Sequence, residues 1–223
     1  MQTNIPIVFA FDKKCVLPAA VTIQSLMDSA AAGTVYDMHI LHPDLPGRVK
    51  DGFLKMTAPT RHKLTFHFVD VNRFEGAPKN RGSWGPIVYY RLLIPEILTG
   101  YDKVIYSDVD VFFKKDMGAL FCTGIEDCEV GAVAGEINAL DTVCHKYFPE
   151  NKKELIYMSG FLLMNLKRMR AEQTVQKFFD TIRAFGPRLD MFDLDVLNLT
   201  CTRVKALPFD YAVLESIYAL PKM

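Results

Sequence analysis

The stretch Tyr101-Asp102-Lys103-Val104-Ile105-Tyr106-Ser107-Asp108-Val109-Asp110-Val111-Phe112-Phe113 constrains the fold more than any other part of the chain. A run of Val, Ile and Tyr reads as a buried central strand, because β-branched and aromatic side chains fill a sheet that is covered on both faces. The run turns polar at Ser107 and apolar again at Val111. In extended backbone Asp108 and Asp110 project to one side and Val109 to the other, into the core. Carboxylates flanked by core are costly without a counter-charge, so the pair reads as a ligand set for a divalent cation or a polar ligand. A solvated turn at a strand end is the competing explanation.

The rest of the chain supplies a context for that strand. A length of 223 residues fits one large α/β domain, with two small ones as the alternative, and half of the residues are hydrophobic, including 16 Phe and 9 Tyr, which is ample for a core. The 26 basic and 26 acidic residues balance, so no basic excess points to nucleic acid. Cys15, Cys122, Cys128, Cys144 and Cys201 are odd in number, scattered and free of any C-x-x-C pair, which suits a reducing compartment. Met1-Gln2-Thr3-Asn4 has no basic region, and the apolar run behind it stops at Asp12. Neither a signal peptide nor a membrane span is expected, and the location expected is cytoplasmic.

Ile5 to Phe11 reads as the first strand and ends at Asp12-Lys13-Lys14. Leu17, Ala20, Val21, Ile23 and Met27 recur at near-helical spacing and predict a helix to about Ala31, stopped by Gly33. Tyr36 to Leu41 is a second strand. Pro46 opens a helix to about Met56 with Val49, Phe53 and Leu54 inward, and Leu64 to Val69 alternates as a half-buried strand should. This β-α-β-α-β order predicts a parallel sheet with helices on its faces. Gly76 to Pro86, with Trp84, reads as a loop of the kind that forms lids. A helix over Tyr89 to Ile94 is expected beside the central strand, then a helical turn over Met117 to Phe121 and a strand over Val130 to Ala134 that closes on Gly135-Glu136. Gly160 to Asn165 is apolar again. Helices are expected over Met169 to Phe185 and Asp193 to Cys201, with Gly186-Pro187 between them.

Asp12, Asp108, Asp110 and Glu136 therefore fall where strands end, which in open α/β sheets is where ligands bind. Carboxylates there do not suit a bare phosphate. They do suit a phosphate that arrives with a divalent metal.

Asp102-Lys103-Val104-Ile105-Tyr106-Ser107-Asp108-Val109-Asp110-Val111 resembles the D-K-V-[LI]-Y-x-D-x-D-[VT] core of glycosyltransferase family 8. Ile7 to Asp12 is similar to that family's first strand, Tyr89-Tyr90-Arg91-Leu92 to its Y-x-R-L helix, and Ser159 to Lys167 to its N-[AS]-G-[VF]-[LM]-x-x-[ND]-L-[KR] segment. Asp193-Leu194-Asp195-Val196-Leu197-Asn198 resembles its D-Q-D-x-[LM]-N helix. The resemblance implies a GT-A type, Rossmann-like fold whose mixed, mostly parallel sheet is flanked by helices. It would be a single domain over residues 1–223, with a nucleotide-binding part to about residue 110 and an acceptor part beyond.

The activity implied is retaining, metal-dependent transfer of galactose or glucose from a UDP-sugar to a bacterial surface glycan such as lipopolysaccharide. Mn²⁺ or Mg²⁺ would sit on Asp108 and Asp110 against the donor diphosphate, as a Lewis acid. By the same resemblance Ala10, Asp12, Arg91, Asp108, Val109 and Asp110 bind the donor, while Asp193 and Glu136 are the catalytic candidates. A surface salt bridge competes as the explanation of Arg91, and a helix N-cap as that of Asp193. Partners would be the UDP-sugar and a carbohydrate or lipid-linked glycan acceptor, with no nucleic acid and at most peripheral contact with the inner face of the membrane.

Lys13-Lys14-Cys15 stands where the family usually has Asp-Asn-Tyr, Met158 where it has Asn, and Leu194 where it has Gln. Family members generally continue to an H-x-G-x-x-K-P-W segment. None of His39, His42, His62, His67 and His145 lies in such a context, and the chain is expected to lack that segment. These departures motivate an alternative reading, a nucleotide-sugar or glycan binding domain of the same fold with weak or no transfer. Core packing competes with sugar stacking for Trp84, Tyr89 and Tyr90, and a solvated helix start with anionic lipid for the basic runs at Lys152-Lys153 and Lys167-Arg168-Met169-Arg170.

Overall fold

A computed structural model describes residues 3–78, 85–138 and 148–213. Trp84, Cys144, His145 and the last ten residues, 214–223, lie outside the described residues. In chain order, β1 (Thr3–Ala10), α1 (Val16–Asp28), β2 (Thr34–His42), α2 (Gly47–Thr57) and β3 (Lys63–Phe68) form the expected β-α-β-α-β run. A 3-10 helix over Pro86–Leu93 continues into α3 (Ile94–Ile97) and leads to β4 (Lys103–Ser107). Then follow α4 (Gly118–Phe121), β5 (Val130–Ile137), β6 (Leu155–Asn165), α5 (Leu166–Ala171), α6 (Thr174–Phe185), α7 (Asp193–Thr200) and β7 (Val204–Leu207).

The strands form one sheet in the order β3-β2-β1-β4-β6-β5-β7. β3, β2, β1 and β4 run parallel, β6 runs antiparallel to both of its neighbours, and β7 pairs parallel with β5. Because β4 and β5 both oppose β6, their carboxyl ends share one edge of the sheet with that of β1. The sheet separates two apolar layers, one holding Leu41, Tyr90, Val104, Leu162 and Phe178, the other Ile7, Phe9, Ile23, Ile40 and Leu163. β4 feeds both layers in alternation, Val104 and Tyr106 to the first and Ile105 to the second. Full burial of each such side chain contributes roughly 1.5–3 kcal/mol.

Several local expectations need correction. α1 turns Ala19, Thr22, Ile23, Ser25, Leu26 and Met27 inward, a broad helical face, whereas Leu17 and Val21 stand 76% and 50% exposed. Two of the inward residues are polar for a reason. Thr22 Oγ1 donates to the carbonyls of Val109 (2.7 Å) and Val111 (2.8 Å), and Ser25 Oγ accepts from the Phe113 amide (3.0 Å), so α1 clamps the loop that carries the acidic pair. Leu54 is exposed and only Phe53 of the apolar trio on α2 is fully buried; Pro46 precedes that helix instead of opening its first turn. The helix expected over Met169 to Phe185 is two helices, α5 and α6, broken where Gln173 adopts φ 54°. Tyr89 and Tyr90 are core residues, each 1% exposed, and not sugar platforms. Arg168 pairs with Glu172 (2.6 Å) and Arg170 with Asp102 (3.3 Å), which accounts for much of that basic run within the protein itself. β7 is an element the sequence pattern did not suggest.

Candidate functional site

The strand that carries the acidic pair ends at Ser107, and Asp108, Val109 and Asp110 follow in a bend. Strand alternation therefore does not place the two carboxylates, as the sequence had suggested. Val109 does turn into the core, where it is 8% exposed. Asp108 is partly buried and Asp110 exposed.

Asp108 is held from one side. Its Oδ1 accepts from Arg91 Nη2 (2.8 Å) and from the Tyr106 hydroxyl (2.7 Å), and its backbone amide donates to the Gly160 carbonyl (2.8 Å). Arg91 is 5% exposed, so the surface salt bridge considered for it is excluded. Its Nη1 donates to the Ser159 carbonyl (2.6 Å), its Nε donates to the Val88 carbonyl (3.0 Å), and the guanidinium lies 4.5 Å from the Tyr106 ring centroid. The 3-10 helix over Pro86–Leu93 makes this possible by delivering the residue sideways beneath the end of β4.

The same Arg91 Nε lies 3.1 Å from Asp193 Oδ2. Its hydrogen is directed to Val88, so Asp193 Oδ2 is buried with no hydrogen-bond donor of its own among the described residues. Asp193 is the first residue of α7 and Phe192 holds the N-cap position, which removes the N-cap explanation. It follows Phe192, whose backbone at φ 46° and ψ −111° is uncommon for a residue with a side chain and directs the helix start into the cluster. Asp195 Oδ2 ties down the approach by accepting from the amides of Asp190 (2.8 Å) and Met191 (2.9 Å). Asn198 fastens α7 to β6 by bonding both the amide and the carbonyl of Tyr157 (2.9 and 2.8 Å).

One cation thus faces two carboxylates in a poorly solvated place. Burial pushes Asp193 up to about 6, against the pull of Arg91 and of a Ser159 hydrogen bond. Burial also lifts Asp108 above the usual carboxylate range, while Arg91 and Tyr106 pull it down and Asp110 adds to the rise. For Arg91, burial works against the charge but Asp108 and Asp193 outweigh it, so the guanidinium stays charged.

Asp12 sits at the end of β1 and its Oδ1 accepts from the Lys14 amide (2.8 Å), capping the 3-10 turn Lys13–Cys15. Burial, and after it Asp12 and Asp110, push the Cys15 thiol up, so both carboxylates lie within electrostatic reach of that thiol. Ala10 ends β1 and is partly buried. Glu136 is not beyond its strand as expected but is the penultimate residue of β5, opposite Ile156, at the same sheet edge. The sequence reading had no part for Tyr106 and Ser159, which bond directly to Asp108, Arg91 or Asp193. Both lie inside the two stretches that carried the resemblance, and nothing in composition or spacing marks a tyrosine or serine as a ligand of a buried ion pair.

Superposition with known structures now bears on this geometry. The galactosyltransferase LgtC, solved in complex with donor and acceptor sugar analogs, matches over 96% of this chain and 77% of its own, with a TM-score of 0.83 at 22% identity. The glycosyltransferase GlyE of Streptococcus pneumoniae matches over 99% of this chain and 52% of its own, with a TM-score of 0.74 at 19% identity. The fold is accordingly that of the GT-A glycosyltransferases. The family model for Glycosyl transferase family 8 matches residues 6–222, and the chain belongs to that family. A Lipopolysaccharide 1,2-glucosyltransferase of Escherichia coli is 22% identical over 214 residues, 94% of this chain, and the chain spans 62% of that relative's length.

Proposed function

We propose that this protein is a retaining hexosyltransferase that moves galactose or glucose from a UDP-sugar to a bacterial surface glycan, lipopolysaccharide or a lipid-linked precursor. The observation that carries the reading is the Arg91 cluster at the carboxyl edge of the sheet. There Asp108 keeps one carboxylate oxygen engaged while the other, with exposed Asp110 two residues on, is left to a ligand. Relatives support the chemistry by what they are called, a lipopolysaccharide glucosyltransferase and a galactosyltransferase.

The donor set fits a hard divalent cation. No group of three or more His, Cys, Asp and Glu side chains able to hold a metal is found among the described residues. One or two carboxylates completed by substrate phosphates is the usual way proteins hold Mg²⁺ in nucleotide sites, so a pair of acids without a closed cage matches an ion that arrives with the donor. Asp108 and Asp110 would hold Mn²⁺ or Mg²⁺. When bound, such an ion neutralises charge that develops on the departing diphosphate.

The protein's own groups do the rest. Arg91 keeps Asp108 and Asp193 oriented and partly neutralised, and its buried fork offers positive charge near the donor diphosphate. Asp12 and Ala10, at the end of β1, and the Val109 backbone frame the nucleoside; the donor part runs to about residue 110 and the acceptor part follows it. Asp193, buried beside Arg91, is the candidate nucleophile or orienting acid at the sugar, with Glu136 as a second acid toward donor or acceptor hydroxyls. The place of work proposed is the cytoplasm, in at most peripheral contact with the inner face of the membrane; no helix among the described residues is long and apolar enough to cross one.

A second reading, donor binding without turnover, is favoured by Leu194, a 5% exposed aliphatic residue directly after Asp193. One experiment decides between the two. The protein is incubated with UDP-galactose or UDP-glucose and Mn²⁺, and UDP release is followed with and without EDTA, then repeated with Asp110→Asn. Release that needs the metal and is lost in the variant supports transfer. Binding of a UDP-sugar with no turnover on any glycan acceptor supports the binding domain, and no binding of any UDP-sugar sinks both.

A further inference from the structure

We infer that Gly160 is a positioning residue, whose missing side chain keeps Asp108 Oδ2 bare for the cation that accompanies the donor. The inference rests on the donor-site reading above and goes beyond it to a residue outside the acidic pair.

β6 does not pair evenly with β5. Between the Ala132–Leu162 and Ala134–Tyr157 pairs β5 advances by two residues and β6 by five, so extra residues of β6, Met158 to Phe161, bulge away from β5. Bulges of this kind re-aim the chain beside functional sites. Here the bulge carries Gly160 under Asp108, whose amide donates to the Gly160 carbonyl at 2.8 Å. A Cβ added at Gly160 would stand 2.7 Å from Asp108 Oδ2 and 3.5 Å from its Cγ.

Such a clash is usually cheap when it meets the free end of a flexible side chain. Gly135 illustrates the cheap case, since its added Cβ would meet the Met158 thioether at 2.8 Å and a methionine can swing aside. Asp108 cannot, because Arg91 and Tyr106 both grip Oδ1, and turning the carboxylate breaks two charge-assisted hydrogen bonds. Nor does backbone conformation demand a glycine here: Gly76 is the sole glycine at positive φ among the described residues. The space beside Oδ2 is therefore what the glycine provides. With Oδ1 consumed inside the protein, Oδ2 is the Asp108 oxygen that remains for an outside cation.

The test is a calorimetric titration of Mn²⁺ into the protein in the presence of UDP, for the parent, Gly160→Ala and Gly131→Ala. Gly131 is the control for mere crowding in the same sheet, since its added Cβ would press on Leu207 at 3.1 Å, away from Asp108. Gly160→Ala is expected to weaken Mn²⁺ binding about tenfold or more, which corresponds to about 1.4 kcal/mol. Gly131→Ala is expected to lower the melting temperature and bind Mn²⁺ as the parent does. Parental Mn²⁺ affinity in Gly160→Ala overturns the inference and leaves the donor-site reading standing, whereas a parent that binds no Mn²⁺ with UDP overturns both. Should Gly160→Ala fail to fold, Tyr106→Phe tests the same grip from the other side. Loss of that hydroxyl lets the carboxylate pivot and is expected to weaken Mn²⁺ binding about twofold to fivefold; unchanged affinity there counts against the inference.

Discussion

Two buried polar clusters interrupt the apolar layers of this sheet, and they handle charge in opposite ways. At the carboxyl edge, Arg91 faces Asp108 and Asp193, one cation to two acids, and oxygen atoms are left over. On β2 and β3, Asp37, His39 and His67 lie together with Tyr101, and His39 Nε2 has no hydrogen-bond partner among the described residues. Tyr101 donates to Asp37 Oδ2 (2.6 Å), His39 Nδ1 and His67 Nε2 share a hydrogen bond (3.0 Å), and His39 Nε2 lies 3.8 Å from Asp37 Oδ1. Burial holds His39 and His67 below the ordinary imidazole range, so these two rings are uncharged at neutral pH. The first cluster keeps a cation and two acids where water is scarce, a costly arrangement that makes sense if a ligand completes it; the second keeps its imidazoles neutral and holds its one acid under the Tyr101 hydroxyl.

The largest expected effect comes from breaking the charged cluster at its centre. Arg91→Met leaves buried Asp193 and partly buried Asp108 without their cation and should lower unfolding stability by about 2–4 kcal/mol in urea at pH 7.5, less than for a fully buried pair because water reaches Asp108. A loss under about 1 kcal/mol would mean that the acids find relief elsewhere and that the contrast drawn here is false.

Next comes the pH dependence, where the clusters should differ in sign. Asp193 holds its proton up to about pH 6 in the folded state, well above an unfolded aspartate. The native state therefore binds more protons than the unfolded one between about pH 4 and 6, and stability falls as pH rises through that window. The full cost is on the order of 3 kcal/mol. Asp193→Asn should flatten this slope and be no less stable than the parent at pH 7.5, while UDP-sugar transfer drops about a hundredfold or more. Equal activity would remove Asp193 from the chemistry.

For His39 the sign reverses. A depressed imidazole means that the unfolded state binds more protons, so its contribution is present above about pH 6.5 and is lost as pH falls. His39→Gln should make acid unfolding shallower below pH 6.5 and reduce stability at pH 7.5 by about 1 kcal/mol, with transfer unchanged. The smallest effect is expected from Tyr101→Phe, which removes one half-buried hydrogen bond worth up to about 1 kcal/mol and leaves donor binding intact. Any loss of UDP-sugar affinity in either variant would tie the second cluster to the site and blur the comparison.

The parallel half of the sheet was legible because its signals are local. Strands β1 to β3 and the helices between them show in hydrophobic period and turn residues, and β4 in a run of branched and aromatic side chains. The other half was less so. β7 is short and half exposed, with no apolar period to betray it, and the break at Gln173 uses a left-handed residue that is not glycine. The outward position of Leu17 could not be foreseen either, since the polar Thr22 and Ser25 claim the inward face by bonding a loop far along the chain.

The sequence by itself determined that two carboxylates would stand at the end of a buried strand, since side-chain chemistry and strand burial are written residue by residue. It also determined the family, through several matched stretches in order. Only the tertiary structure decided which oxygens those carboxylates have to spare. Arg91, Tyr106, Ser159 and Asp193 come from separate elements, and a hydrogen-bond donor closes off one lone pair and leaves another open only when those elements pack. The glycine beside Asp108 makes the same point: its meaning is a distance across the sheet, and distance across a sheet is set by strand order, register and a bulge.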